Sequence, residues 1–275
     1  MRYVVVPQWQ GSGSSRAMRL ADGALAIMGD LPSSRTSLLE VPLGAGEALG
    51  TGVARFSSIR QVHDDLLQKL GDSNDPALVI GGDCGIELAA IEHALTLGPD
   101  TAVVWLDAHP DLGALDSARP RPFCGTVARA VLGEGADGLT ASPALAPSRF
   151  LPAGTRNVDD DERAFLDEHG IAPLTVDALT GTTLADAVAA TGAEAVYVHV
   201  DLDVLDPSEL AALADPQPFG VPLTTLVAEL RALVARVPLI GGGITMFSPE
   251  SPDAAPADLP VVLRILSALT APRAH

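Results

Sequence analysis

Cysteine, aromatic residues and positive charge are all scarce in this sequence. Two cysteines among 275 residues give no disulfide framework and favour a reducing, cytoplasmic setting. Seventeen Lys and Arg stand against 35 Asp and Glu, so the basic footprint of a nucleic-acid-binding protein is absent. No charge-free apolar stretch reaches roughly 18 residues, and the start of the chain lacks the charged region and hydrophobic run of a secretory signal. We therefore expect a cytoplasmic protein that binds neither nucleic acid nor membrane.

The residues that are abundant indicate an α/β fold. Hydrophobic residues make up 47% of the chain but aromatic residues only 4%, so Ala, Val and Leu must build the core, as in helix-covered parallel sheets. Apolar strands are predicted at residues 4–7, 78–80, 102–106, 150–152, 195–200 and 237–240. Helices are predicted at residues 55–70, 86–97, 126–132, 159–169, 184–191, 223–236 and 259–269. This alternation and the chain length predict a single domain, residues 1–275, with a parallel sheet covered on both faces.

Two acidic motifs follow predicted strands. Asp107, His109 and Asp111 come directly after one strand, and Asp201 and Asp203 come after another. Because ligands bind beyond the carboxyl ends of parallel strands, we expect both motifs to meet in one cleft. On an extended strand Asp201 and Asp203 would share a face, where two carboxylates repel each other unless a cation lies between them. Carboxylates with one imidazole suit a divalent metal such as manganese, and solvated acidic turns are the alternative.

The cysteines and the other histidines carry weaker signals. Cys84 lies in a glycine-rich turn that opens a predicted helix, where a helix N-terminus would lower the pKa of its thiol, although a small buried cysteine is the commoner role. A small buried cysteine is also the favoured role for Cys124 on its own, and Asp83 is expected to orient the glycine turn. His199 would share a strand face with Asp201, so a place beside the cleft and a hydrogen-bonded core position both fit. Solvated surface is the expectation for the histidines outside any motif: His63, His93, His169 and His275.

The chain resembles the ureohydrolase family of arginases, agmatinases and formimidoylglutamases. Four ordered motifs within residues 81–208 carry the resemblance: G-G-D-C-G, D-A-H-P-D, G-T-R-N-V-D and D-L-D-V-L-D-P-S. The resemblance implies a three-layer α/β/α fold with a mainly parallel sheet of about eight strands. It also implies a pair of manganese ions and a bridging hydroxide that attacks the guanidinium carbon. The implied metal ligands are Cys84, Asp107, His109, Asp111, Asp201 and Asp203.

The resemblance also implies a role for each of these ligands. Asp107 and Asp201 bridge both metals, and His109 and Asp203 complete one of them. Asp111 completes part of the other metal site and serves as partner of the hydroxide and proton donor to the leaving amine.

Three positions depart from the family pattern. Cys84 replaces the histidine that usually forms the first metal ligand, and Cys124 replaces a histidine that shuttles protons or contacts substrate. Met246 replaces the glutamate that receives the guanidinium. A thiolate is softer than imidazole and must be deprotonated to bind, so that metal site would be weaker or prefer a softer ion. Loss of the glutamate favours a less basic guanidine, such as an N-hydroxyguanidine.

The other end of the substrate is implied by the stretch that begins at Arg156. Asp159, with Asn157 and Glu162 nearby, matches the arginase segment that contacts an α-amino group. The arginase asparagine that reads the carboxylate aligns with Gly113, and Arg119 or Arg121 could substitute unless both are exposed loop arginines. The profile fits a guanidino amino acid, with Nω-hydroxy-L-arginine cleaved to L-ornithine and hydroxyurea for antibiotic biosynthesis as the leading hypothesis.

Three alternatives remain open at the level of sequence. The nearest is an arginase- or agmatinase-type enzyme that releases urea. A metal-poor pseudoenzyme or binding module would explain the departures, although clustered aspartates repel one another without a cation. A thiol sensor would join Cys84 and Cys124 in a disulfide under oxidation. Family members are commonly homo-oligomers, but no surface pattern specifies such an assembly here.

Overall fold

One parallel sheet of seven strands runs through the computed structural model, which describes residues 1–272. The strands are β1 (Arg2–Val6), β2 (Thr36–Leu38), β3 (Ala77–Gly81), β4 (Thr101–Leu106), β5 (Phe150–Ala153), β6 (Ala195–Asp201) and β7 (Leu239–Thr245). Their order across the sheet is β2-β1-β3-β7-β6-β4-β5, and every neighbouring pair is parallel. The expected parallel sheet is thereby confirmed, with seven strands where about eight were expected.

Helices cover both faces of this sheet. They are α1 (Met18–Met28), α2 (Phe56–Gly71), α3 (Glu87–Leu97), α4 (Val127–Val131), α5 (Asp160–His169), α6 (Thr183–Ala190), α7 (Leu223–Arg236) and α8 (Ala255–Leu269). Successive strand residues face opposite sides, so Val5 and Val104 pack with α6, α7 and α8 while Val4 and Val103 pack with α2, α3 and α4. Two apolar cores result, one on each side of the sheet, as a three-layer α/β/α fold requires.

Two elements were not predicted from the sequence. β2 has only three residues and lies at the sheet edge, so its pattern is too short to recognise. α1 contains Gly23, which usually argues against a helix interior. Here the glycine is needed for close packing, because a Cβ on Gly23 would overlap the carbonyl oxygen of Phe247.

The last strand corrects the prediction that a strand ends before the triple glycine. β7 begins at Leu239 and continues through the glycines to Thr245. Neighbouring side chains explain the composition, since a Cβ on Gly243 would overlap the carboxylate of Glu87, and one on Gly241 would approach the Tyr197 ring to 3.0 Å. α8 likewise begins at Ala255, ahead of the predicted residue 259.

The histidine expectations hold only in part. His63 on α2 is buried rather than solvated, and its ring nitrogens contact Asp64 at 3.1 Å and Glu92 at 3.2 Å. His93 and His169 are half-buried. His275 lies outside the described residues. Within residues 1–272 no helix is long and apolar enough to cross a membrane.

A buried glutamate joins two helices on one face of the sheet. Glu229 of α7 is fully buried and accepts backbone N–H groups from Gly181 at 2.6 Å, Thr183 at 3.2 Å and Leu184 at 2.9 Å. These donors surround the start of α6, whose first N–H groups have no partner within the helix. The carboxylate therefore substitutes for a local helix cap.

Replacing this glutamate should destabilise the fold. Glu229→Ala leaves buried N–H donors without an acceptor, which costs about 1–3 kcal/mol for each unsatisfied group. We expect thermal or urea unfolding to show a lower free energy of unfolding than the wild type. Glu168→Ala, at an exposed glutamate of α5, is the matched control and should change little. Equal stability of the two variants would contradict this capping role.

Candidate metal centre

The carboxyl ends of four neighbouring strands converge on one cavity. Cys84 follows β3, Met246 follows β7, Asp201 ends β6 and Asp107 follows β4, and these strands are adjacent in the sheet. The cavity has a volume of about 580 Å³. Its lining includes Cys84, His109, Asp111, Arg121, Cys124, Asn157, Asp159, Glu162, Asp201, Asp203 and Met246. The expectation that both acidic motifs meet in one cleft is confirmed.

Two groups of side chains in the described residues are arranged so that each could hold a metal ion. In the first, one ligand atom each of Cys84, Asp107, His199 and Asp201 lies within 4.8 Å of the others, and all four residues are buried. The second consists of Asp107, His109 and Asp203 within the same limit. Asp107 belongs to both groups, so two adjacent cations would share its carboxylate.

Backbone turns hold the acidic motifs in place. Asp107 accepts the backbone N–H of His109 at 2.6 Å, and Asp201 accepts that of Asp203 at 2.8 Å. The two motifs are also joined, because Asp203 accepts the N–H of Ala108 at 3.0 Å. Asp203 therefore lies in a 3₁₀ turn, Leu202–Val204, rather than on the strand. The predicted reason for the proximity of Asp201 and Asp203, alternation along an extended strand, is wrong.

Arg156 ties this turn to the loops around it. Its guanidinium donates to the carbonyl oxygen of Asp203 at 2.7 Å and to that of Gln217 at 2.8 Å. Further acceptors are the carbonyl oxygens of Gly154, Val204, Leu205 and Pro218. The arginine thus acts on backbone positions rather than on the cavity itself.

The glycine turn after β3 is organised by Asp83, as expected. Its buried carboxylate accepts the N–H groups of Gly85 and Gly11 and the amide of Gln8, each at 2.8 Å.

A helix N-terminus was expected to lower the pKa of Cys84, and this expectation is wrong. Burial, the neighbouring Cys124 thiol and the charge of Asp201 raise the pKa of the Cys84 thiol well above its ordinary value.

The Cys84 thiol directly contacts another potential metal ligand, Asp201. Its sulfur donates to the Asp201 carboxylate at 3.0 Å and lies 3.1 Å from the Thr245 hydroxyl. Cys84 is buried and Cys124 half-buried, and both are free thiols on the cavity wall. A metal at this position would therefore have to displace a proton from Cys84.

Asp111 lies in the cavity but outside both compact groups. Its φ of 54° is left-handed, and its Oδ2 is buried without a hydrogen-bond partner among residues 1–272. Burial and the nearby charge of Asp107 raise the pKa of this carboxyl well above its ordinary value. A strained backbone and an unsatisfied buried oxygen are typical of functional positions, because neither stabilises the fold.

Charges in the metal-free site are poorly balanced. Burial and the charges of Asp203 and Asp107 raise the pKa of Asp201 well above its usual range, while burial and Asp107 raise that of Asp203 to about 6. Burial alone would lower the pKa of His109, but its contacts with Asp107 and Asp203 raise it to about 12. Protonation of these groups thus relieves part of the repulsion that a cation would relieve.

His199 is the residue near the site that the sequence left undecided. It is fully buried, and its ring stacks on Trp105 with ring centroids 3.8 Å apart. One ring nitrogen lies 3.5 Å from Glu87, and the other lies 3.8 Å from Asp107. Burial lowers the pKa of His199, but the charge of Glu87 and contact with Asp107 outweigh this effect and raise it to about 9. No local pattern in α3 marks Glu87 as a partner of this strand.

The expected substrate residues lie on one side of the cavity. Asn157 contacts the Nε2 of His109 at 3.1 Å, and Asp159 forms an ion pair with Arg121 at 3.3 Å. Glu162 is buried, and its two oxygens accept the N–H groups of Leu112 at 3.1 Å and Asp159 at 2.9 Å. Glu162 therefore positions the Asp159 loop, and its contact with substrate stays a prediction.

The Arg121 guanidinium lies where a side chain on residue 113 would otherwise be, and that residue is Gly113. A Cβ on Gly113 would lie 2.9 Å from the Arg121 Nη1, so any larger side chain there would collide with the guanidinium. Asp161 holds Arg121 at 2.9 Å, and the arginine lines the cavity. Arg119 is exposed and is not among the cavity residues.

Comparison with known proteins agrees with this architecture. Bacillus caldovelox arginase is 28% identical over 218 residues, which cover 73% of this chain and 72% of that protein. Streptomyces lavendulae N(omega)-hydroxy-L-arginine amidinohydrolase is 26% identical over 161 residues, or 58% of this chain and 55% of that protein. The Entamoeba histolytica arginase structure in complex with L-ornithine superposes with a TM-score of 0.84 at 19% identity, covering 98% of this chain and 97% of that one.

The seven-stranded parallel sheet and the paired donor groups are those expected of a metal-dependent enzyme of the α/β class. The model of the Arginase family matches residues 10–259, and the chain belongs to that family. Its members are metal-dependent hydrolases of carbon–nitrogen bonds in linear amidines, and this chain is an enzyme of that class.

The metal-free protein should lose stability as the pH rises. The pKa of Asp203 in the folded chain is about 6 and that of His199 about 9, each above its value in an unfolded chain. Between about pH 4 and about pH 9 the folded state therefore binds more protons than the unfolded state, and releasing them costs stability. Metal binding reverses the trend, because the ligands bind as deprotonated groups.

Thermal melts with a chelator and with manganese test this expectation. The chelated protein should melt at a lower temperature at about pH 8 than at about pH 5, and the gain from manganese should be larger at the higher pH. Asp203→Asn should flatten the chelated curve between about pH 4 and about pH 6. A metal-free protein that becomes more stable over this range would rule the explanation out.

Proposed function

We propose that this enzyme hydrolyses the guanidino group of an arginine-type amino acid, with two divalent cations held by a shared set of ligands. The proposed ligands are Cys84, Asp107, His109, Asp111, Asp201 and Asp203. The observation that carries the proposal is the pair of donor groups that meet at Asp107. Bound there, the cations would acidify a water for attack on the guanidino carbon. Manganese suits the group of Asp107, His109 and Asp203, whose donors are oxygen and nitrogen.

Asp111 is suited to proton transfer. Its buried Oδ2 has no hydrogen-bond partner in the described part of the chain and its carboxyl lines the cavity, so it can contact the attacking water and later the leaving amine. Its raised pKa allows the carboxyl to hold a proton until the amine needs it. Cys124 lines the same cavity and is proposed as a substrate contact beside the reaction centre.

The amino-acid end of the substrate is proposed to bind at the part of the cavity wall formed by Asp159 and Arg121. Asp159 is the acceptor for the α-amino group, because its side chain is 64% exposed while Glu162 already accepts two backbone N–H groups. Asn157 orients His109. Arg121 is the candidate to receive the α-carboxylate, since Asp161 fixes its guanidinium at the cavity wall. A small guanidino amino acid would then span the distance from Asp159 to the metals.

Nω-Hydroxy-L-arginine is the proposed substrate, with L-ornithine and hydroxyurea as products and a role in antibiotic biosynthesis. Met246 is a buried, apolar part of the cavity, so it provides no carboxylate for a fully cationic guanidinium. A hydroxyguanidine is less basic and needs that anchor less. The similarity to the Streptomyces lavendulae enzyme supports this choice.

L-Arginine is the second candidate, because Bacillus caldovelox arginase is similar over more of the chain. The purified protein would be incubated with Nω-hydroxy-L-arginine, L-arginine and agmatine, and metal content would be measured on the same sample. Faster release of ornithine from the hydroxylated substrate is the expected result. Equal or faster turnover of arginine or agmatine would assign a urea-releasing guanidino hydrolase instead. Absence of turnover with fewer than two bound metals would overturn the proposal.

Met246→Glu should shift the substrate preference. A carboxylate at this position can form a charge-assisted hydrogen bond with a cationic guanidinium, which is worth roughly 1.5–3 kcal/mol. We expect the ratio of kcat/KM for L-arginine to that for Nω-hydroxy-L-arginine to rise by about tenfold or more. Met246→Gln has the same size without the charge and should leave the ratio nearly unchanged. An equal shift in both variants would mean that size, and not charge, sets the preference.

A further inference from the structure

His199 is a buried imidazole that the proposed reaction does not yet use. It lies on β6 two residues before Asp201 and is 0% exposed. Neither of its ring nitrogens has a hydrogen-bond partner in the described structure. Its contacts with Glu87 at 3.5 Å and Asp107 at 3.8 Å are ion pairs longer than hydrogen bonds, so this buried imidazole has room for a closer partner.

The Nε2 of this ring faces the side chains that could bind a metal ion. A ligand atom of His199 lies within 4.8 Å of those of Cys84, Asp107 and Asp201. The Nε2 is 3.8 Å from the Asp107 Oδ2, which is too far for a hydrogen bond but suits two ligands of one cation. The geometry therefore selects Nε2, and not Nδ1, as the atom aimed at the site.

The opposite side of the ring is supported as metal-binding histidines usually are. The Nδ1 lies 3.5 Å from the Glu87 Oε1, and the Tyr197 hydroxyl donates to the Glu87 Oε2 at 2.6 Å. Trp105 stacks on the ring and fixes its plane. A carboxylate behind the imidazole sets its tautomer and orientation in carboxylate–histidine–metal arrangements. Gly243 keeps space for the Glu87 carboxylate, because a Cβ there would overlap it.

We propose that the His199 Nε2 ligates the cation held by Cys84, Asp107 and Asp201, and that this position prefers zinc. The inference rests on the proposed two-metal function and adds a ligand to it. An imidazole lost at residue 84 is thereby supplied from the neighbouring part of the sheet. One thiolate, one imidazole and two carboxylates form a donor set suited to Zn²⁺, whereas the sulfur-free group at His109 suits Mn²⁺. The centre is then a mixed zinc–manganese pair.

X-ray absorption at the zinc edge tests the ligand set without relying on activity. Protein loaded with zinc and manganese should show one sulfur and one imidazole around zinc. His199→Gln should lose the imidazole signal, keep the sulfur signal and weaken zinc binding in chelator competition by at least about tenfold, as loss of even an outer-shell partner does. His63→Gln, which removes a buried histidine outside the site, should change neither measurement.

Glu87→Gln provides a second test if His199→Gln fails to fold. It removes the charge behind the ring and should weaken zinc binding by about tenfold while the wild-type spectrum still shows the imidazole. Two bound metals without an imidazole at zinc, or a His199→Gln variant whose zinc affinity stays within about twofold of wild type, would overturn the inference and leave the two-metal proposal intact. Failure of the wild-type protein to bind any metal would overturn both.

Discussion

Repulsion between buried carboxylates is the constraint on which this end of the molecule depends. Asp107, Asp111, Asp201 and Asp203 are each at most 6% exposed and line or adjoin one cavity. Without a cation this charge is opposed by protonation, by His109 and His199 and by the nearby Arg156 guanidinium, and the carboxyl pKa values shift accordingly. Divalent cations would remove the cost at once, because they neutralise several carboxylates together.

The rest of the fold holds these groups together against that repulsion. Parallel pairing of β3, β7, β6 and β4 brings their carboxyl ends side by side. Arg156 fixes the Asp203 turn through six carbonyl oxygens, and Asp83 fixes the turn that carries Cys84. Because these contacts involve the backbone, they position the acidic side chains without binding them directly. The scaffold therefore supplies geometry, and bound cations would supply the missing positive charge.

The sequence predicted the strands and the acidic motifs because both are local patterns. Apolar runs such as 195–200 mark buried strands, and Asp201 follows directly on that run. Partners from distant segments could not be predicted in this way. Glu87 meets His199 only because α3 packs over β6, and Gly241 and Gly243 of β7 are explained by the neighbouring side chains of Tyr197 and Glu87. The prediction of a lowered pKa for Cys84 was wrong for a similar reason, since burial and the charge of Asp201 outweigh the local effect of a helix N-terminus.

The departures from the family pattern are better understood in spatial pairs than one by one. The Cys84 thiol replaces an imidazole, and the His199 imidazole lies in the same donor group. Gly113 lacks a polar side chain, and the Arg121 guanidinium occupies the space beside it. In both cases a functional group from another position in the chain lies beside the altered residue. Within the described residues the His199 imidazole has no hydrogen bond, although it lies beside a thiol and two carboxylates. A site that had lost its chemistry would have no physical reason to keep that arrangement, since buried polar groups ordinarily have hydrogen-bond partners.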